Sequence, residues 1–473
     1  MLGKHNAQPT MSIFSSIALD LGSTSIKSGL LDNRGMLCHI QAQLAPIIVA
    51  EGGRYESDAL AYVEVAEQVL GACIAQCGSE RPPLGISSQR SSFLIWERAS
   101  GQPITPLISW QDNRGAASCA TLQPHEELIC ALTGLRLTPY YFAPKLCVVL
   151  QAHPEWRKRL LRGELLVGTL DTFLIWRWSD GAHHVTDASM AARTLLMDIR
   201  QSQWSPELCA LFEIPLAILP RINSSAGLNL KLSNGLTLQA SVGDQSAALI
   251  SSIATNSNEA LVNLGTGGFV IRYLDDKPSK LPGYLNTLVY QNAQRHTHLA
   301  IEGTLNSIAD ALVPYPINEC QTTDLATQNT FCLAEPSGIG APYFRNDIGL
   351  RYSSSIDHLT PRQIAALLLE AIIFRVARIL EEFHRESAIE RAYLSGGLSE
   401  LVCLQQGIAQ CVPFSVYRLK QKEGSLQGAA LLASGVEVTS HVEAEQIIVT
   451  SKNELLPEKY RRWKVWLDGV LGL

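Results

Sequence analysis

The sequence predicts an α/β protein of two domains, and three observations carry that prediction. At 473 residues the chain is longer than one hydrophobic core comfortably serves. Short apolar runs that end in glycine-rich turns alternate with stretches whose apolar residues recur at helical spacing. The third observation is a repeat: Asp20-Leu21-Gly22-Ser23 and Asn263-Leu264-Gly265-Thr266 each lie between apolar strands. A strand–glycine turn–strand unit recurring in both halves points to an internal duplication.

Composition bounds the function. The chain is 46% hydrophobic and 17% charged, as a globular protein is. Its 38 basic and 44 acidic residues leave a formal charge of −6, and no Lys/Arg stripe suggests a nucleic-acid partner. The most basic run, Lys459-Tyr460-Arg461-Arg462-Trp463-Lys464, is expected to be the wet face of a terminal helix. The 11 cysteines are scattered, odd in number and without a CxxC pair, which points to reduced thiols and a cytoplasmic location. The opening residues MLGKHNAQPT lack the apolar segment of a secretory signal. The longest apolar stretch, Leu367 to Phe374, is interrupted by Glu370 and closed by Arg375, so no membrane is expected as a partner.

In chain order, residues 1–11 are expected to be a disordered leader. A strand then ends at Asp20, before the turn Gly22-Ser23-Thr24. That geometry suits a carboxylate near a metal-bound phosphate, with turn N–H and hydroxyl groups on the phosphate oxygens. Lys27, on the return strand, is expected to be solvated. Tyr62 to Ala75 has helical spacing. Pro82 to Arg90 is a strand emerging into a polar tip, Phe93 to Trp96 returns as a strand, and Ile108 to Arg114 is a second switch from apolar to polar. Gln, Arg, Trp and Asp at strand ends suit a small polyhydroxylated ligand, with a planar ring against C–H faces and charged or amide groups on hydroxyls.

Thr138 to Lys145 is an aromatic loop before a helix, and Gly163 to Trp176 runs strand, cap, helix, with Asp171 as the N-cap. His183-His184 has no third ligand in view and is not taken as a metal site. The central stretch is Ser241 to Phe269. Here Gly243-Asp244-Gln245 offers a carboxylate after a glycine, a candidate general base, then come a short helix, a strand and the turn Gly265-Thr266-Gly267-Gly268. Backbone N–H groups in such a turn can face an anion. Pro361 to Leu380 is a long helix. Gly396-Gly397 follows a strand and precedes a helix near Glu400, which permits close approach of a flat base or a phosphate. Gly424 to Ala430 opens another helix, and a Trp-rich helix ends the chain.

Taken together and in this order, DLGSTS, SSQR, SWQDNR, GELLVGTLDTFLIW, HVTDASMAARTLL, GDQSAAL, NLGTGGF, GIGAPY, LSGGLS and GAALLA resemble the FGGY carbohydrate kinases, glycerol kinases above all. The resemblance covers nearly the whole chain after the leader. It implies two actin-like (ribonuclease H-like) domains with a nucleotide cleft between them, and ATP and Mg²⁺ as cofactors. On this resemblance residues 12–249 form the substrate and phosphate domain, 250–437 the nucleotide domain, and 438–473 a tail with a helix. Asp20 is implied at the metal and Asp244 as the base that takes the acceptor proton. Gly22, Ser23, Thr24, Gly265, Thr266, Gly267, Gly396 and Gly397 are implied along the nucleotide. Gln89, Arg90, Ser91, Trp110, Tyr140, Asp244, Gln245 and Phe269 are implied at the substrate. The activity implied is ATP-dependent phosphorylation of a hydroxyl of a small polyol or ketose, glycerol first, with a pentulose or tetritol as the alternative; the resemblance leaves room for a homodimer. A catalytically silent actin-like nucleotide-binding protein is the alternative of another class.

Several positions depart from the family pattern. Ser91 stands where glycerol kinases carry the Glu that accepts hydrogen bonds from glycerol. Around Lys145, Phe142 replaces a small or proline-type residue and Val148 stands where Trp is common. Leu367 stands where a small residue precedes Glu370.

Overall fold

The computed structural model describes residues 14–255, 258–275, 277–420, 422–435, 443–449 and 453–473. Residues 1–11, expected to be a disordered leader, lie outside the described residues. The chain divides into two compact units. The first falls within Met1–Ser251, Leu288–Thr297 and Glu423–Val438, the second within Ser252–Thr287, His298–Lys422 and Thr439–Leu473.

The first unit is built on a six-stranded sheet in the order Ala226–Lys231, Thr237–Gly243, Leu84–Ser88, Phe14–Leu21, Ser25–Asp32, Leu37–Leu44. Phe14–Leu21 pairs antiparallel with Ser25–Asp32 and parallel with Leu84–Ser88, which pairs parallel with Thr237–Gly243. The second unit's sheet repeats this arrangement. There Glu259–Leu264 pairs antiparallel with Gly268–Tyr273 and parallel with Arg391–Ser395, which pairs parallel with Ser415–Leu419. In each sheet one strand pairs antiparallel with its successor on one side and is followed in parallel by two later strands on the other, so the repeat seen in the sequence is a repeat of topology; the strand beyond the antiparallel pair is Leu37–Leu44 in the first sheet and Thr297–Leu305 in the second.

Helix ends follow their local chemistry. Asp58 caps Ala59–Gln76 by accepting from the N–H groups of Leu60 and Ala61, and Tyr62, Val63, Ala66, Val69, Leu70 and Cys73 form its buried stripe. Thr360 and Gln363 make a reciprocal capping box for Pro361–Glu386. That helix is enclosed on nearly every face from Ala365 to Ala377 and is the core of the second unit. Asp171 is not an N-cap: the helix Leu170–Trp178 starts two residues earlier than that would require, with Thr169 at the cap, so Asp171 turns inward and is fully enclosed.

Phe93–Glu97 does not return along Leu84–Ser88 but joins a separate five-stranded sheet of the first unit. The reason lies at Ser91, whose φ of 64° turns the chain out of one sheet and into the other. By compactness the helix Gly424–Ser434 groups with the first unit. A Cβ at Gly428 would come within 1.9 Å of the Ala247 carbonyl, and one at Gly85 within 2.1 Å of the Ala429 carbonyl. Both glycines are therefore what lets backbone meet backbone there, and Ser16 Oγ donates to the Ala430 carbonyl at 2.7 Å.

The terminal helix Leu455–Leu471 packs into the second unit's core through Leu456, Tyr460, Trp463 and Leu467. Lys459, expected on the wet face, is instead buried in an ion pair with Glu370, and Lys464 pairs with Glu381 at 2.7 Å. Among the described residues no helix is long and apolar enough to cross a membrane.

Candidate active site

Asp20 ends its strand opposite Lys27 and beside Ser87. Burial pushes its carboxyl up to about 7; Ser87 and Lys27 ease the charge, while Asp244 and Glu423 add to the repulsion. Its Oδ1 is sealed from solvent and has no hydrogen-bond partner. Lys27 is not simply solvated: its Nζ lies 2.5 Å from Glu423 Oε2. An orphan carboxylate oxygen that feels the charge of other carboxylates suits a cation or the water around one. Among the described residues no three His, Cys, Asp or Glu side chains gather into a cage. The donors present fit an ion that keeps most of its own water and enters with another ligand.

Asp244 opens the helix Asp244–Ser252. Its Oδ1 accepts from the Gln245 N–H at 2.7 Å and lies 3.4 Å from Arg90 Nε, while Arg90 also donates to Gln245 Oε1. Burial raises the Asp244 carboxyl, and Arg90 and then Arg193 pull it part of the way back. The backbone just before it is fixed by a buried network that the sequence did not reveal. The Gly243 N–H donates to Ser189 Oγ at 2.8 Å. Asp187 caps the turn bearing Ser189 and accepts from Ser225 Oγ at 2.6 Å. The one sequence signal for this network was the Asp-x-Ser spacing in HVTDAS, an N-cap pattern.

The substrate-side residues of the first unit divide into those that face out and those that do not. Trp110 and Tyr140 are 38% and 50% exposed, with ring centroids 6.3 Å apart and tilted by 49°. The pair presents flat apolar ring faces at the surface. Gln89 points inward: its Nε2 donates to Tyr62 Oη at 3.1 Å and its Oε1 accepts from Ser92 Oγ at 2.8 Å. Ser91 is buried, and its hydroxyl donates to the Arg193 carbonyl at 2.8 Å. Asp112 is enclosed and holds Arg114 and the Tyr55 N–H, so this acid of the SWQDNR motif is spent on the loop itself. Arg193, which no sequence argument singled out, sits 8% exposed with its guanidinium 5.7 Å from the Tyr141 ring centroid.

In the first unit Gly22 closes the turn after Asp20, where a Cβ would come within 2.7 Å of the Ser25 carbonyl; Thr24 beyond it is exposed. In the second unit, Thr266 and Gly267 are exposed at the tip of the hairpin between Glu259–Leu264 and Gly268–Tyr273, while the Gly265 N–H is taken by the Gly267 carbonyl at 2.8 Å. Phe269 follows on the second strand, half-buried. Gly396 has φ of 86°, and a Cβ there would lie 2.4 Å from the Leu264 carbonyl and 2.5 Å from Asn263 Oδ1. Gly397 opens a short 3₁₀ turn, Gly397–Glu400, with open space around its Cα. Asn263, the counterpart of Asp20 in the repeat, thus packs against the Gly-Gly turn.

Comparison with known proteins agrees with this geometry. Residues 15–260 match the N-terminal domain, and 260–435 the C-terminal domain, of the FGGY family of carbohydrate kinases. The chain is 30% identical to an apulose kinase of Pectobacterium atrosepticum, over 95% of this chain and 96% of that protein. It is 31% identical to a glycerol kinase of Ectopseudomonas mendocina, over 96% of this chain and 98% of that protein. Among solved structures it resembles the Plasmodium falciparum glycerol kinase with ADP, with a TM-score of 0.82 and 23% identity over 96% and 97% of the two chains. A xylulose kinase of Rhodospirillum rubrum gives a TM-score of 0.81 and 19% identity over 97% and 99%. The fold is the two-domain actin-like one. With both domain models matched along nearly all of its length, and with Asp20, Asp244 and the glycine turns set as described, the chain belongs to the FGGY family of carbohydrate kinases and is a phosphotransferase with an alcohol acceptor.

Proposed function

We propose that this enzyme transfers the γ-phosphoryl group of ATP to a hydroxyl of a small polyol or ketose, with Asp244 as the base. One observation carries the reading: a carboxyl raised by burial is held by Arg90 at a helix start, and a second carboxyl that feels its charge has a sealed, unpartnered oxygen. A raised carboxyl is the better proton acceptor near neutral pH. Asp244 takes the acceptor's proton as its oxygen attacks, and Arg90 and Gln245 hold the acceptor hydroxyls. Trp110 and Tyr140 in the first unit pack on its carbon skeleton.

Gly22, Ser23 and Thr24 in the first unit lie against the ATP phosphates. Gly265, Thr266, Gly267, Gly396 and Gly397 in the second unit lie along the nucleotide. Charge neutralisation at the transferring phosphoryl group is what Mg²⁺ supplies when bound, and Asp20 would hold it, chiefly through water. A coupled ADP-release assay over a panel of polyols, ketoses and sugar acids tests the reading. Steady turnover that depends on an added alcohol is expected; ATP hydrolysis indifferent to every acceptor, or no turnover, would mark a silent nucleotide-binding protein instead.

Gly396 offers a direct test of the nucleotide side. At φ of 86° and 2.4 Å from a carbonyl, an alanine must push the turn away from Leu264. Gly396→Ala is expected to raise the KM for ATP at least ~10-fold and to lower stability by about 1–3 kcal/mol, the usual range for a residue forced into such a conformation. Unchanged ATP kinetics would remove Gly396–Gly397 from the nucleotide site.

Ser91 bears on the substrate. A glutamate there could make charge-assisted bonds to neighbouring hydroxyls, whereas the serine hydroxyl already donates to the Arg193 carbonyl. Glycerol remains the first single candidate from the relatives. The shorter, neutral Ser91 favours weak glycerol binding and a four- or five-carbon polyol or ketose by kcat/KM. Ser91→Glu is expected to shift preference toward glycerol by roughly tenfold, equivalent to about 1.4 kcal/mol. A wild-type enzyme that already prefers glycerol to every longer acceptor would overturn this account of the pocket.

A further inference from the structure

The helix Phe142–Ala152 carries a lysine that is wholly enclosed: Lys145 is 0% exposed. Among the described residues no carboxylate stands within ion-pair distance of its ammonium. Instead Nζ donates to the carbonyl of Ser91 at 2.9 Å and to that of Ser109 at 2.7 Å, and lies 5.9 Å from the Phe93 ring centroid. Burial drives its pKa down to about 7, with Asp112 offsetting part of the effect and Arg114 adding to it. Enclosing an ammonium with two carbonyls as its only hydrogen-bond partners is costly. An unbranched apolar side chain of similar length would fill the same space without that cost.

What the ammonium does, and an apolar chain could not, is join two loops. The Ser91 carbonyl is one residue past Arg90, and the Ser109 carbonyl is one residue before Trp110. A second tie runs beside it, where Ser92 Oγ accepts from the Trp110 N–H at 2.9 Å and donates to Gln89 Oε1 at 2.8 Å. These loops carry a guanidinium and an indole that, in the reading above, hold the acceptor's hydroxyls and pack on its carbon skeleton.

We propose that Lys145 is a positioning residue that sets the spacing between the loop bearing Arg90 and the loop bearing Trp110, and with it which acceptor alcohols fit. The inference rests on the kinase reading. Without the ammonium, the Ser91 and Ser109 carbonyls face one another with no donor between them, and the loops move apart.

The test uses the full-length enzyme as Lys145→Met and, separately, Ser92→Ala, each assayed for KM and kcat with ATP and with every acceptor that the wild type takes. Lys145→Met is expected to raise the acceptor KM at least tenfold and to shift the ranking of acceptors toward larger ones. Its KM for ATP should stay within about twofold. Ser92→Ala should move the ranking in the same direction by less. A folded Lys145→Met enzyme with the wild-type acceptor KM and ranking overturns the inference. If that variant does not fold, an unchanged ranking in Ser92→Ala overturns it and a shifted one supports it. Absence of acceptor-dependent turnover in the wild type defeats the kinase reading itself, an outcome distinct from normal wild-type turnover with unaffected variants.

Discussion

Asp244→Asn is expected to cut kcat by at least ~10²-fold while leaving the KM for ATP nearly unchanged, because an amide of the same shape cannot accept the acceptor's proton. The surroundings of the side chain make this a clean experiment. The asparagine oxygen can still accept from the Gln245 N–H, and Arg90 keeps its bond to Gln245 Oε1, so neither neighbour is stranded. The backbone remains anchored through Gly243 and Ser189. Stability should not fall, since burial already disfavours the charge that the substitution removes. In the wild type the acid limb of the kcat–pH profile should have its midpoint above the ordinary aspartate value of 3.8 and should vanish in the variant. Near-normal turnover in Asp244→Asn would end its assignment as the base.

Asp20→Asn should separate activity from stability. Turnover is expected to fall at least ~10-fold and the magnesium requirement to rise, as the oxygen that would face the hydrated ion loses its charge. The fold should gain. With a folded pKa of about 7 against 3.8 for the free side chain, wild-type Asp20 favours the native state fully below pH 3.8, and that contribution is lost as pH rises through 7. The variant has nothing to lose there. Its Tm should match wild type near pH 4 and exceed it by several °C at pH 8, for a relief on the order of a few kcal/mol. Saturating Mg²⁺ with nucleotide should narrow that gap, since bound cation offsets the charge. Thermal scans at both pH values with a magnesium titration check this. An unchanged magnesium dependence together with equal Tm values at pH 8 would leave Asp20 a turn residue only.

Much of this protein was legible in the order of its residues. The alternation of strand and helix, the Asp20 and Asn263 turns and the Asp244 corner follow from local rules, because glycine at a turn, a cap residue and apolar spacing act over a few residues. The duplication was legible because it is written twice. What stayed hidden depends on residues far apart in sequence. Nothing near Gly428 announces that its helix packs on the helix at Ala247 and on the strand Leu84–Ser88, more than 300 residues earlier; the missing Cβ atoms of Gly428 and Gly85 leave the room for it. Ser91 looked like a free pocket wall until its left-handed backbone and its bond to Arg193 were in view. Asp112 looked like a ligand and proved to be a loop brace. Lys459 looked like a surface charge yet is enclosed with Glu370, and Lys145, at the end of an aromatic loop, is enclosed by carbonyls. The chemistry a residue type makes possible is a property of the sequence. Whether its polar atoms are left over for a ligand is decided by the tertiary structure, because burial forces each buried donor and acceptor to find a partner inside, and the few left unpartnered, such as Asp20 Oδ1, mark where a ligand could bind.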